Sequence, residues 1–354
     1  MDKRVLALAL FLICILSAGC QHNGAGQLEK QAFNDDWLFL LAEDQASRHQ
    51  YFHPEFDDSG WEIVSIPHTP RIEPLLVNDQ WQGICWYRKK FRIAPEMKNR
   101  KLFLHFEGAM NVADVWINGV HKTRHQGGYL PFVVEFSDEA DWKGINQLVV
   151  RLDNRDNPVT GPKPLAILDF NTYGGIYRNV WLYSKAPLHI SDPMYAGREA
   201  SGGVFITFPE VSKSNAWIRV QTHVLNENSR SEAFNITCSL FNNEKLVQSS
   251  TLENLLLSPG RDSAFITELE VEDPDLWSPR HPQLYRLVTT VEQGKKIIDK
   301  ESTRIGIKWM EFRGQDFYLN GEKFFLRGVN RHQEYPFVGY ALSDNAQYRD
   351  AKKI

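Results

Sequence analysis

Val115-Trp116-Ile117-Asn118-Gly119-Val120-His121-Lys122 sets two short strand-forming runs on either side of an Asn-Gly pair. Asn and Gly tolerate the successive positive φ angles of a two-residue turn, so the stretch reads as a β-hairpin. The same period of two continues on both sides. Leu102, Leu104 and Phe106 alternate with Phe103 and His105; Leu130, Phe132, Val134 and Phe136 with Val133 and Glu135; Leu148, Val150 and Leu152 with Val149 and Arg151. Alternation of this kind predicts half-buried strands with one face in a core and one in water. Residues 28–185 are therefore expected to form a β-sandwich or jelly roll.

A second β-unit is expected over 186–303, where Phe234, Ile236, Cys238 and Leu240 alternate, as do Tyr285, Leu287, Thr289 and Val291, and Gln293-Gly294 turns the chain back. A length of about a hundred residues with several short strands suits an immunoglobulin-like sandwich. From 304 to 354 the pattern changes. Phe317-Tyr318-Leu319, Asn320-Gly321 and Lys323 to Val329 predict a small hairpin leading into a buried strand, and Ser343-Asp344 offers capping oxygens to a helix over Ala346 to Ile354. Strand, loop and helix start form the first β/α unit of a TIM barrel, whose site residues stand at the C-terminal ends of its strands. The fold class expected is mainly β with this one addition.

The composition, 42% hydrophobic, 24% charged and 12% aromatic over 354 residues, is that of a globular chain, and the net charge of −4 supplies no basic field for nucleic acid. Ten Trp, 21 Phe and 12 Tyr are candidate sugar-stacking platforms, although most aromatic residues of β-domains fill cores. The first 20 residues read as an export signal: Lys3 and Arg4, an apolar run from Val5 to Ile15, then Leu16-Ser17-Ala18-Gly19-Cys20. A Cys directly after small residues resembles the bacterial lipoprotein box. Lipid on Cys20 would hold the protein on the bacterial envelope, at its periplasmic or outer-membrane face, without spanning the membrane. Cys85 and Cys238 fall in different predicted units, so no disulfide is expected, and no His or Cys spacing suits structural zinc.

Several segments in order carry a resemblance: Phe56-Asp57-Asp58-Ser59-Gly60-Trp61, Ile66-Pro67-His68, Trp86-Tyr87-Arg88, Phe106-Glu107-Gly108, Gly127-Gly128-Tyr129, Asp169 through Gly174-Gly175-Ile176-Tyr177-Arg178, Leu276-Trp277-Ser278-Pro279, and Gly328-Val329-Asn330-Arg331-His332. Together they resemble glycoside hydrolase family 2, the β-galactosidase and β-glucuronidase family. The resemblance implies a sugar-binding jelly roll, an immunoglobulin-like sandwich and a catalytic barrel, with hydrolysis of terminal β-linked sugars, β-galactosides first, by a retaining mechanism.

By the same resemblance, Asp169 is a ligand to a sugar hydroxyl, directly or through a sodium ion, where its residue-level reading is that it fixes a Gly-rich turn. His332 contacts the sugar from the loop after the first barrel strand, and Asn330 and Arg331 support it from the same loop. No cofactor is required, beyond a possible sodium or magnesium ion at the sugar site. The two catalytic glutamates of the family match nothing in this chain, since only 21 residues follow Gln333. The chain is accordingly expected to be the non-catalytic N-terminal part of the enzyme. The alternatives are a membrane-tethered carbohydrate-binding lipoprotein and an interaction module without sugar affinity. Partners expected are a carbohydrate, a membrane through the lipid, and a second copy of the chain, with no nucleic acid.

Overall fold

A computed structural model describes residues 30–42, 50–72, 80–160 and 170–354. The first unit contains β1 (Gln31–Ala32), β2 (Trp37–Ala42), β3 (Glu62–Val64), β4 (Ile84–Phe91), β5 (Lys101–Phe106), β6 (Val112–Ile117), β7 (Val120–Gln126), β8 (Phe132–Glu135), β9 (Asn146–Asp153) and β10 (Val180–Lys185). They form two antiparallel sheets, ordered β1-β10-β5-β8 and β3-β2-β4-β9-β6-β7. The sheets face each other across a core of Trp37, Phe39, Tyr87, Leu104, Phe106, Val115, Val134, Leu148 and Val150. Asn118 and Gly119 have φ of 49° and 83°, and Ile117 pairs with Val120, so the Asn-Gly hairpin is formed as predicted.

Strands expected to be half-buried are covered on both faces. Val149 is fully buried with Ile84 and Trp86 on the outer face of the six-stranded sheet, beneath Tyr51 and Trp61. The Asp58 carboxylate pins that covering loop by pairing at 2.9 Å with the fully buried Arg88 of β4 and at 3.1 Å with Lys90. Phe103, on the outer face of the other sheet, stacks on Tyr183 at 5.2 Å and meets Tyr195 at 5.6 Å. Leu130, read as an inward strand residue, is 64% exposed because β8 starts only at Phe132.

The second unit contains β11 (Leu188–Ile190), β12 (Val204–Val211), β13 (Asn215–Asn226), β14 (Glu232–Asn242), β15 (Lys245–Leu257), β16 (Arg261–Glu272), β17 (Tyr285–Gln293) and β18 (Lys296–Ile305). In one sheet β13 pairs with β16, and with β11 and β12; the other has the order β15-β14-β17-β18. Phe234, Ile236, Cys238, Leu240, Leu287 and Val291 fill the space between them, as their alternation requires. Cys85 and Cys238 are free and buried in separate cores.

Ion pairs join the two sandwiches. Lys185 at the end of β10 is almost fully buried, 3.1 Å from Asp299 and 2.6 Å from Glu301 of β18. Burial alone would lower the pKa of its ammonium group; the two carboxylates outweigh burial and hold it above the usual lysine value. Lys101 of β5 bridges Glu135 of its own unit and Glu227 of the second at 3.2 and 3.1 Å.

Beyond the sandwiches, β19 (Met310–Arg313), β20 (Asp316–Leu319) and β21 (Glu322–Lys323) make a three-stranded sheet, and α1 spans Asp344–Lys353. Ser343 caps α1, its hydroxyl accepting from the Ala346 N–H at 3.3 Å. The buried strand expected over Phe324–Val329 is not formed. This stretch joins no ladder among the described residues, and Phe325, Leu326 and Val329 are 77%, 60% and 66% exposed. A barrel strand is held by ladders on both edges, whereas here only the Phe324 N–H reaches a strand, donating to the Phe317 carbonyl at 2.8 Å, and Phe324 to Arg327 line an open concavity with Leu276 and Pro279.

Candidate functional site

Loops from both sheets converge at one end of the first sandwich, and the segment from Asn330 to Leu342 lies across them. Gly175 ties the loops together. Its carbonyl accepts from the Met110 N–H at 2.9 Å, and the carbonyl of the next residue, Ile176, accepts from the His68 N–H at 2.8 Å. A β-carbon at Gly175 would stand 2.4 Å from the His68 carbonyl oxygen, and its φ is +97°, so the position requires glycine. The Gly-Gly-Ile motif is thus a strap beneath the site. His68 donates to or accepts from the Tyr87 hydroxyl at 2.8 Å, and burial lowers its pKa to about 4, so the ring is neutral at ordinary pH.

Above the strap, Met110, Tyr173, Tyr177 and Tyr340 form a buried cluster. Tyr340 comes from the overlying segment and meets Tyr173 and Tyr177 edge-on or tilted at 5.3 and 5.7 Å. The Tyr177 hydroxyl donates to the Gly128 carbonyl at 2.7 Å, and burial pushes its pKa up to about 12. Gly339, with φ of +56°, closes a turn on Tyr335 and sits directly on Thr69 and Tyr173. The Thr69 hydroxyl donates to the Val338 carbonyl at 2.9 Å, and Arg178 donates to the Gln333 side chain at 2.8 Å. Asn179 donates at 3.2 Å both to Glu107 and to Asp344 at the start of α1.

The Glu334 carboxyl sits among these groups. Desolvation raises its pKa, with His332 and a hydrogen bond from Tyr173 opposing the shift. Its Oε2 is buried and has no hydrogen-bond partner among the described residues.

The sequence-predicted residues separate here. His332 is exposed and lies against Phe170, ring centroids 4.8 Å apart with a 60° tilt. Phe170 directly follows Asp169, which lies outside the described residues, as does Cys20. Asn330 is exposed on the extended segment. Arg331 pairs with Asp350 of α1 at 2.6 Å, on a carboxylate that also accepts from the Tyr335 hydroxyl, so its guanidinium ties the loop to the helix. No local pattern marks Glu334, Gln333 or Tyr340 as binding residues, and alternation rules carry no signal for a tyrosine cluster assembled from separate loops.

Among the described residues no three His, Cys, Asp or Glu side chains converge as a metal site. None of their helices is long and apolar enough to cross a membrane. Around the buried tyrosines, the exposed Tyr129 and His332 rings, side-chain amides and carboxyl groups offer chemistry for holding a polyhydroxylated ligand.

Two family profiles match the chain. "Glycosyl hydrolases family 2, sugar binding domain" covers residues 49–187, and "Glycosyl hydrolases family 2" covers 203–308. A β-galactosidase of Thermoanaerobacter pseudethanolicus is 31% identical over 90% of this chain and 41% of its own length. A β-glucuronidase of Formosa agariphila is 30% identical over 88% of this chain and 33% of its own. Among solved structures, a Bacteroides uniformis β-glucuronidase superposes with a TM-score of 0.83 at 30% identity, over 91% of this chain and 38% of that one. The chain therefore spans about two fifths or less of the length of these relatives.

Proposed function

This chain belongs to glycoside hydrolase family 2, and on that footing we propose that it forms the sugar-recognising front of a hydrolase acting on terminal β-linked sugars, β-galactosides in the first place. One contact carries the reading: His332 lies on Phe170, the residue after Asp169, so a loop of the jelly roll and the loop before α1 meet at one point. Asp169 would accept hydroxyls of the terminal sugar with charge-assisted strength, and His332 would contact the same ring. Glu334 adds a partly desolvated carboxyl group near His332.

The cleavage proposed is a retaining double displacement, which needs an acid/base and a nucleophilic carboxyl about 5 Å apart. Neither role falls to a residue of this chain. A related β-glucuronidase covalently bound to cyclophellitol-6-carboxylate aziridine fits the same chemistry. A sodium or magnesium ion at the sugar site would rest on Asp169. Export to the bacterial envelope with lipid on Cys20 is proposed from the leader sequence alone. A β-glucuronide is the second substrate reading, favoured by β-glucuronidases among both the curated relatives and the solved structures.

The test is hydrolysis of p-nitrophenyl β-galactoside and β-glucuronide by the gene product that contains these 354 residues, with the anomer first released read by proton NMR. Release of the β-anomer from the galactoside is expected. Preference for the glucuronide would replace the substrate, and first release of the α-anomer would exclude retention.

A further inference from the structure

Near the tyrosine cluster, on the outer face of the six-stranded sheet, lies a concavity of about 400 Å³, lined by Arg124, Gln126, Asp153, Arg155, Asn157 and Val159 among others. Its size is at the small end of ligand pockets, about 300–1,000 Å³. The strand register builds its floor. Gln126, Val112 and Asp153 stand opposite one another across β7, β6 and β9, and Arg124, Asp114 and Arg151 form the next row on the same face. The carboxylates hold the Arg155 and Arg151 guanidinium planes in place, while Arg124 stays exposed beside Asp114. Asp153 takes two bonds from Arg155, at 2.9 and 2.6 Å, and one from Arg151 at 3.2 Å; Asp114 pairs with Arg151 at 3.3 Å and Arg124 at 4.0 Å. Burial works against ionised Asp153, but the Arg155 bonds and both arginine charges hold its pKa below the usual carboxylate value.

We propose that this cavity and its row of paired charges bind a neutral glycan chain, extending sugar recognition from the terminal residue to the units beyond it. The proposal rests on the sugar-binding reading given above.

Each sugar hydroxyl both donates and accepts, so the fixed Arg155 and Asp153 planes side by side, with the open Arg124 guanidinium next to them, match neighbouring hydroxyl pairs. The three arginines are balanced by Asp114, Asp153 and Asp156, which gives no net field to select an anion. Val159, 67% exposed at the rim, offers an apolar patch to the C–H face of a sugar ring. The cavity is also wired to the tyrosine cluster. Asn157 and Asn111 both donate to the Thr160 hydroxyl, at 2.6 and 2.7 Å, Asn111 accepts from the Gly128 N–H at 3.0 Å, and Gly128 accepts from Tyr177. The concavity and the tyrosine cluster are thus joined by hydrogen bonds at one end of the sandwich.

The experiment probes the gene product that contains these 354 residues on an array of neutral, uronate-bearing and sulfated oligosaccharides, then titrates the tightest neutral ligand calorimetrically. Neutral oligosaccharides are expected to bind. The Arg124→Ala/Gln126→Ala double variant, altered at two exposed β7 positions, should raise their Kd at least tenfold with an unchanged melting midpoint and unchanged monosaccharide binding. If that variant melts early, Val159→Asp at the exposed rim serves instead, with the same expected loss. No neutral binding, preference for acidic glycans, or wild-type oligosaccharide affinity in a stably folded variant overturns the proposal. His332→Ala separates the two readings. If it weakens monosaccharide binding while the cavity variants change nothing, the cavity reading falls alone; if only the cavity variants matter, the terminal-sugar reading falls.

Discussion

Replacing Gly175 by Ala should loosen the strap beneath the site and destabilise the first sandwich by about 3–4 kcal/mol. The added β-carbon would stand 2.4 Å from the His68 carbonyl oxygen, 2.6 Å from Pro70 Cδ and 2.9 Å from the Tyr87 hydroxyl, all closer than carbon tolerates. The backbone must shift, and it carries two hydrogen bonds, Met110 N–H to Gly175 and His68 N–H to Ile176. Losing both costs about 1 kcal/mol each. Holding an L-residue at φ of +97° adds roughly 1–2 kcal/mol. Urea unfolding followed by tryptophan fluorescence measures the change, and a fall in Tm of roughly 10 °C should accompany it. Gly260→Ala is the control: its φ is +63° but nothing lies within 4 Å of the added carbon, so the loss should be only about 1 kcal/mol. Equal losses at the two positions would show that the strap is not closely packed and that backbone conformation alone sets the cost.

Two further outcomes are expected. In the whole gene product, Asp169→Ala should raise KM and lower turnover sharply, and unchanged kinetics would remove Asp169 from the site. His189 gives the chain an acid-sensitive junction: burial, and then the Lys185 charge, lower its pKa from 6.5 to about 4 in the folded state. The unfolded chain therefore binds the proton first, so stability is full above about pH 6.5 and falls as pH drops toward 4, by roughly 3 kcal/mol for this one group. Urea unfolding at pH 7 and pH 5 reads the slope, to which the buried His68 adds over the same window, and His189→Leu should reduce it; an unchanged slope would assign the acid sensitivity to other groups.

Much of the fold was legible because it is set by near neighbours. Asn118-Gly119 fixed a hairpin through its own φ angles, and Ser343 capped a helix three residues on. The alternation of Phe234, Ile236, Cys238 and Leu240 marked one core face through the strand's two-residue period. The family motifs were legible as an ordered set, but their physical work was not. Asp58 and Arg88 stand in separate motifs, and only the folded chain brings them to 2.9 Å as a buried pair.

Sequence alone therefore determined strand period, turn positions, the two-sandwich plan and the place of His332 on a loop after an apolar run. Tertiary structure decided which second faces are covered. Val149 and Phe103 look solvent-facing by alternation and are buried because remote aromatic residues cover them. It also decided that Phe324–Val329 stays out of any ladder among the described residues, since a strand needs a partner edge that its own residues cannot encode. The same holds for the site. A period of two places a side chain on a face, but the meeting of His332 with Phe170, and of Tyr340 with Tyr173 and Tyr177, depends on where two distant loops come to rest.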